Sequence, residues 1–125
     1  MLDGLDRIMQ FQTEALRLRG TRQELLSANI ANSDTPNYKA VDFDFAAALK
    51  AATVHAGATS AASGSADSRS QPELLYRTPA QTSLDGNSVE MDAERAKFAD
   101  NTVRYEAAMR YLTLQIKTML SAIQS

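Results

Sequence analysis

Residues 28–40 read A-N-I-A-N-S-D-T-P-N-Y-K-A, and the way this stretch stops a helix decides the expected fold. The side chains of Asn29, Asn32, Ser33, Asp34 and Thr35 can all hydrogen-bond nearby backbone and so compete with the helical ladder. Pro36 bars the α region for Thr35 and has no N–H to donate. Pro36-Asn37 suits the central positions of a type II turn, whose second residue needs φ > 0, a value Asn tolerates. Tyr38 follows as a large amphipathic ring able to pin the turn. A plain helix stop needs only a Gly or a Pro. Thirteen residues spent on one corner imply that the shape of the corner matters.

Working outward, both ends of the chain read as long helices. On the N-terminal side, with Asp3 as a cap, a three-four stepping gives Leu2, Leu5, Met9, Gln12, Leu16, Arg19, Gln23, Leu26 and Ile30, six of nine apolar. Gly20 interrupts this segment at a cost of about 1 kcal/mol relative to Ala. The C-terminal seam is cleaner: Phe98, Thr102, Tyr105, Met109, Leu112, Ile116, Met119 and Ile123, seven of eight apolar, behind Asp92 as the expected N-cap. A helix of this length is roughly 45 Å long, which suits a coiled coil better than a small ball. On its opposite face Ala96, Val103, Ala107 and Leu114 share a narrow sector, a candidate second packing surface. The expected architecture is mainly α, with the terminal helices paired as an antiparallel coiled coil. Leu16, Leu26 and Ile30 are expected on Met109, Leu112 and Ile116.

The expected division is a helix over 1–31, an irregular middle over 32–91 with the turn motif at 32–39, and a helix over 92–125, all within one assembly domain. Val41–Ala52 reads as a short strand passing into a short helix capped by Asp44. Residues of about 53–72 are rich in Ala, Ser and Gly and read as a flexible loop, because they bury too little to offset their ordering entropy. Leu74–Arg77 and Ser88–Met91 read as short extended pieces flanking an Asp85-Gly86-Asn87 turn.

The chemistry on offer is sparse. The 125 residues hold no Cys and no Trp, one His, and a formal net charge of −2. Disulfide and thiolate-metal chemistry are excluded, and the charge argues against a nucleic-acid partner. No apolar run approaches a membrane span, and the N-terminus carries no Sec-type signal. His55 sits in the Ala/Gly/Ser region with no carboxylate placed by spacing. Asp42 and Asp44 alternate along an extended piece and read as its wet side, with Val41, Phe43 and Phe45 turned inward. Glu90, Asp92 and Glu94 suit a helix start, where the dipole favours acids. Arg17, Arg19 and Arg22 spread around the helix axis and read as a solvated face or as salt-bridge partners. No catalytic residue, cofactor, metal or small-molecule substrate is expected. An assembling structural subunit accounts for the seams and the corner. A soluble binding module, such as a cytosolic export chaperone or adaptor that uses a helical hairpin, is the alternative, and a cell-wall hydrolase using Asp42, Asp44 or the glutamates near Glu90 is a weaker one.

The A-N-I-A-N run with Thr35, Pro36, Tyr38 and Lys39 resembles the signature of the flagellar basal-body rod and hook proteins, with Asn37 in place of their usual Gly. D-T-P followed by K-A-V-D-F-D-F, and L-D-G-N-S-V-E-M-D-A-E-R-A-K-F near the C-terminal helix, are most similar to the proximal-rod members. This resemblance implies a structural subunit of the rod, in the periplasmic space, whose terminal helices form a tube around the export channel. It implies as partners copies of the chain, other rod subunits, the protein joining rod to motor ring and, transiently, the type III export gate. Export would proceed without cleavage. Phe45 and Leu49 fit the F-x-x-x-apolar pattern of early substrates that dock on that gate.

Overall fold

A computed structural model describes residues 2–58, 72–76, 84 and 86–124. Two long helices dominate: α1 over Leu2–Ala31 and α3 over Met91–Gln124. Between them come β1 at Val41–Asp42, α2 over Phe45–Ala58 and β2 at Leu75–Tyr76. The strands pair antiparallel, Val41 opposite Tyr76 and Asp42 opposite Leu75.

Helix starts follow local chemistry. Asp44 caps α2, its Oδ1 accepting from Ala47 N at 3.2 Å and its carbonyl from Ala48 N at 2.9 Å. Past Ala52 the helix continues to Ala58, six residues into the segment expected to be loop. Alanine is the best helix former, and runs of it propagate a helix already nucleated. Residues 59–71 of that expected loop lie outside the described residues, as does the His55 side chain. α3 begins at Met91, with Glu94 N bonding the Glu90 carbonyl at 2.9 Å, so Glu90 rather than Asp92 occupies the cap position.

α1 packs against α3 and, on another side, against α2 and β1. Its deepest stripe therefore keeps Leu26 of the expected seam and otherwise runs beside it. Ala15, Leu18, Leu26 and Asn29 are buried, whereas Leu16 and Ile30 are half-buried. Phe43 and Ala52 complete this core from the β1–α2 side. Among the described residues half of the buried apolar ones are alanines, so the core is thin, in keeping with the composition.

Contacts between α1 and α3 run in opposing sequence order. Asn29 meets Glu94, Gln23 Nε2 donates to Thr102 Oγ1 at 2.7 Å, and Gly20 faces the Tyr105 ring. Leu26 thus lies level with the first turns of α3, and Leu112 and Ile116 lie level with the N-terminal part of α1. The expected partners of Leu26 and Ile30 were misplaced by several turns, because apolar periodicity sets a face but not a register.

The two extended pieces around residue 86 do not pair with each other. β2 joins β1 instead, and residues 87–90 run beside the chain at 38–40. Asp42 and Asp44 also part company: Asp44 caps a helix, while Asp42 turns back to α1.

Candidate functional site

The corner after α1 is built in layers. The helix closes with Asn32 N on the Ala28 carbonyl at 3.0 Å and Ser33 N on the Ile30 carbonyl at 3.2 Å. The Asn32 amide caps backwards, donating to the Ala28 carbonyl at 2.8 Å, and Thr35 Oγ1 donates to Asn32 Oδ1 at 3.1 Å. Thr35-Pro36-Asn37-Tyr38 then forms a turn closed by Tyr38 N on the Thr35 carbonyl at 3.3 Å, with Asn37 at φ 65°. Asn37 therefore holds the left-handed position that its type tolerates.

Residues 86–88 clamp this turn from outside. Asn87 is buried, and its Nδ2 sits 2.9, 3.0 and 2.7 Å from the carbonyls of Asn32, Ser33 and Thr35. All three carbonyls lie past the last helical residue, and that of Asn32 also accepts from Thr35 N at 3.1 Å, so Asn87 holds the turn after α1 together from distant sequence. Ser88 N donates to the Tyr38 carbonyl at 2.9 Å, and Ser88 Oγ accepts from Ala40 N at 2.7 Å. Lys39 Nζ donates to the Gly86 carbonyl at 2.6 Å. Gly86 itself is at φ 74°, and a Cβ there would stand 2.5 Å from Asn37 Oδ1. The close approach of the clamp thus requires glycine twice over.

Asn29 ties the corner to both neighbours. It is fully buried, and its Nδ2 donates to the Val41 carbonyl at 2.8 Å and to Glu94 Oε2 at 3.1 Å. Its Oδ1 accepts from Val41 N and Tyr38 Oη, both at 3.1 Å. Two donors and two lone pairs are all used, the full capacity of an amide. Toward Val41 the side chain imitates a strand neighbour, bonding both backbone groups of one residue. Glu94, also fully buried, carries the network into α3.

Two turns further down, Arg22 grips Asp42 with two bonds of 3.2 Å, in the fork geometry that suits a guanidinium and a carboxylate. Arg19 lies 4.2 Å over the Phe45 ring. Burial, and then the like charges of Arg104 and Arg22, push its guanidinium pKa down. Arg17 pairs with Glu14 at 2.9 Å. The three arginines thus go to three separate partners and form no anion patch. Phe45 and Leu49 are both half-buried on the first turns of α2.

The far halves of the long helices differ. No described residue of 4–14 or 102–124 is buried. Leu5, Ile8 and Phe11 of α1, and Met109, Ile116, Leu120 and Ile123 of α3, are exposed. Of the expected C-terminal seam, Phe98, Tyr105, Leu112 and Met119 are half-buried. Sequence reasoning missed Leu18, Asn87, Glu94 and Asn101 as buried groups. A legible signal existed for Leu18 alone, which shares a face with Ala15 and Leu26.

A profile of the family described as flagella basal body rod protein matches residues 9–39, which is α1 from its third turn through the corner to Lys39. The chain belongs to this family: it is a structural subunit of the flagellar basal body rod. Along its whole length it is similar to the flagellar basal body rod protein FlgB. It is 48% identical to FlgB of Escherichia coli (strain K12), over 100% of this chain and 99% of that one. Identity is 47% to FlgB of Salmonella typhimurium (strain LT2) and 46% to that of Proteus mirabilis (strain HI4320), each over 99% of this chain and 98% of the relative. The export-chaperone alternative finds no support among these relatives.

Proposed function

We propose that this chain polymerises through its terminal helices into the tubular proximal rod, transmitting torque and surrounding the export channel. α1 and α3 pair within each subunit as an antiparallel coiled coil, and the arms 1–31 and 92–125 serve as the assembly units around the irregular middle. The carrying observation is the exposed apolar end of the helix pair. A folded chain that leaves Leu5, Ile8, Phe11, Ile116, Leu120 and Ile123 in water has a use for neighbours that cover them. The corner at Asn29–Tyr38 supports the reading from the other end: four elements of the chain are bonded there into one joint that resists bending under load.

In this reading the partners are copies of the chain, other rod subunits and the protein joining rod to motor ring. The subunit acts without catalysis, cofactor, nucleic acid or small-molecule substrate. It passes the type III export gate uncleaved on its way to the periplasm, with Phe45 and Leu49 docking transiently on the gate. The direct test is a density map of isolated basal bodies in which this chain is traced at the base of the rod. A basal body lacking the chain overturns the reading. A second test is circular dichroism: helicity is expected to rise on assembly as the far halves gain cover, and a monomer already fully helical with a sharp melt contradicts it. For the gate, Phe45→Ala and Leu49→Ala are expected to lower secretion without lowering the melting temperature in proportion. A secretion loss that tracks the stability loss would assign both residues to packing alone.

A further inference from the structure

Beside the crossing of α1 and α3 runs a groove of about 750 Å³. α1 contributes Gly20, Glu24 and Ser27; α3 contributes Thr102, Tyr105, Glu106 and Met109. The spacing on both helices is that of a single helical face, so the groove runs lengthwise along the pair. Gly20 keeps one wall low, and a Cβ there would reach to 3.6 Å from the Tyr105 ring. Such a trough between two helices has the shape that receives a third helix. Its two carboxylates, Glu24 and Glu106, are exposed.

A second surface lies on the outer side of α3. Ala96, Val103, Ala107 and Leu114 form an exposed ridge, with Val103 66% and Leu114 62% accessible. At about 100° per residue, Arg110 and Lys117 lie along one flank of the ridge, while Asp100 on the other flank is paired with Arg104. The ridge is thus apolar with two cations along one side, and the groove is amphipathic with two anions. None of these four charged side chains makes an ion pair among the described residues.

We propose that the α3 ridge of one copy seats in the α1/α3 groove of a second copy, with Arg110 and Lys117 meeting Glu24 and Glu106. Groove and ridge are different patches of one molecule, so the contact is heterologous. Each added copy presents a fresh groove or a fresh ridge, and growth continues instead of closing as a two-fold dimer. This rests on the reading of the chain as a polymerising rod subunit and identifies which surfaces join.

Charge reversal tests it in the full chain. Three variants are compared in cells lacking the parent gene: Glu24→Lys/Glu106→Lys in the groove, Arg110→Glu/Lys117→Glu on the ridge, and the fourfold combination. Content of the chain in purified basal bodies is read by immunoblot, and melting of each purified chain by circular dichroism. Each double variant is expected to lose roughly tenfold or more of its incorporation, because like charges then face each other across the contact. The fourfold variant is expected to recover it, as is co-expression of the two doubles, whose reversed groove and reversed ridge fit one another. Parental incorporation of both doubles, or failure of both rescues while melting is unchanged, overturns the proposal and leaves the rod reading standing. Absence of the parent chain from basal bodies overturns the rod reading itself.

Discussion

The corner end and the far end of the helix pair are made of the same two helices, yet they are stabilised in opposite ways. At the corner end Leu18, Leu26, Asn29, Glu94 and Asn101 are essentially inaccessible, and polar groups are matched bond for bond around Asn29. At the far end apolar side chains face water and nothing described beyond 101 is buried. The difference lies in the number of bodies present. Near the corner, β1, α2 and residues 86–88 cover α1 on sides that α3 cannot reach. Toward the termini α1 and α3 are the only elements among the described residues, and a helix pair covers one stripe of each. A subunit so built has its specificity at one end and its appetite for neighbours at the other.

The sharpest way to break this contrast is Asn29→Ala. It removes four bonds at once and strands buried groups, the Glu94 carboxylate among those that lose a donor. A loss of about 2–4 kcal/mol is expected in urea denaturation, since each buried donor or acceptor deprived of its hydrogen bond costs about 1–3 kcal/mol. Next comes a matched pair of truncations. Leu18→Ala, at 1% exposure, is expected to cost about 3 kcal/mol. Leu120→Ala, at 50% exposure, should stay within about 0.5 kcal/mol in the monomer yet reduce incorporation into basal bodies. Equal losses at the two positions would erase the distinction between the ends.

A smaller effect is expected at the clamp. Gly86→Ala places a Cβ against Asn37 Oδ1 at a positive φ and should cost about 1–3 kcal/mol. Adding Asn37→Gly removes the struck atom and should recover the steric part, leaving the backbone part, so a double-mutant cycle separates the two. Asn37→Gly alone is the mildest change. It relieves the left-handed strain at φ 65° and loosens the unfolded chain, and a net shift of no more than about 0.5 kcal/mol is expected by thermal melting.

Legibility followed the range of the interaction. The stop after Ala31, the turn with Asn37 at positive φ and the Asp44 cap are set within a few residues, and local chemistry announced each of them. Asn87 was readable only as part of a turn; its part in holding the corner after α1 needs partners more than fifty residues away. Glu94 looked like an acid suited to a helix start, and its burial depends on Asn29 arriving opposite. The face of α3 was legible from its three-four spacing, whereas its register against α1 was not. Many registers bury the same apolar stripe, and polar matches such as Gln23 with Thr102 and Asn101 choose among them.

The amino-acid sequence by itself determined two long helices, the place of the corner after the first and the positive φ at Asn37, a thin alanine-rich core and the absence of cysteine chemistry. Those properties arise from propensity, backbone sterics and composition, which act within a turn or two of each residue. The tertiary structure alone decided which stripe of α1 lies deepest, which residues clamp the turn after it, and which apolar residues are left for a neighbour. Each of these depends on surfaces brought together across the chain, and burial belongs to the packed arrangement rather than to the residue.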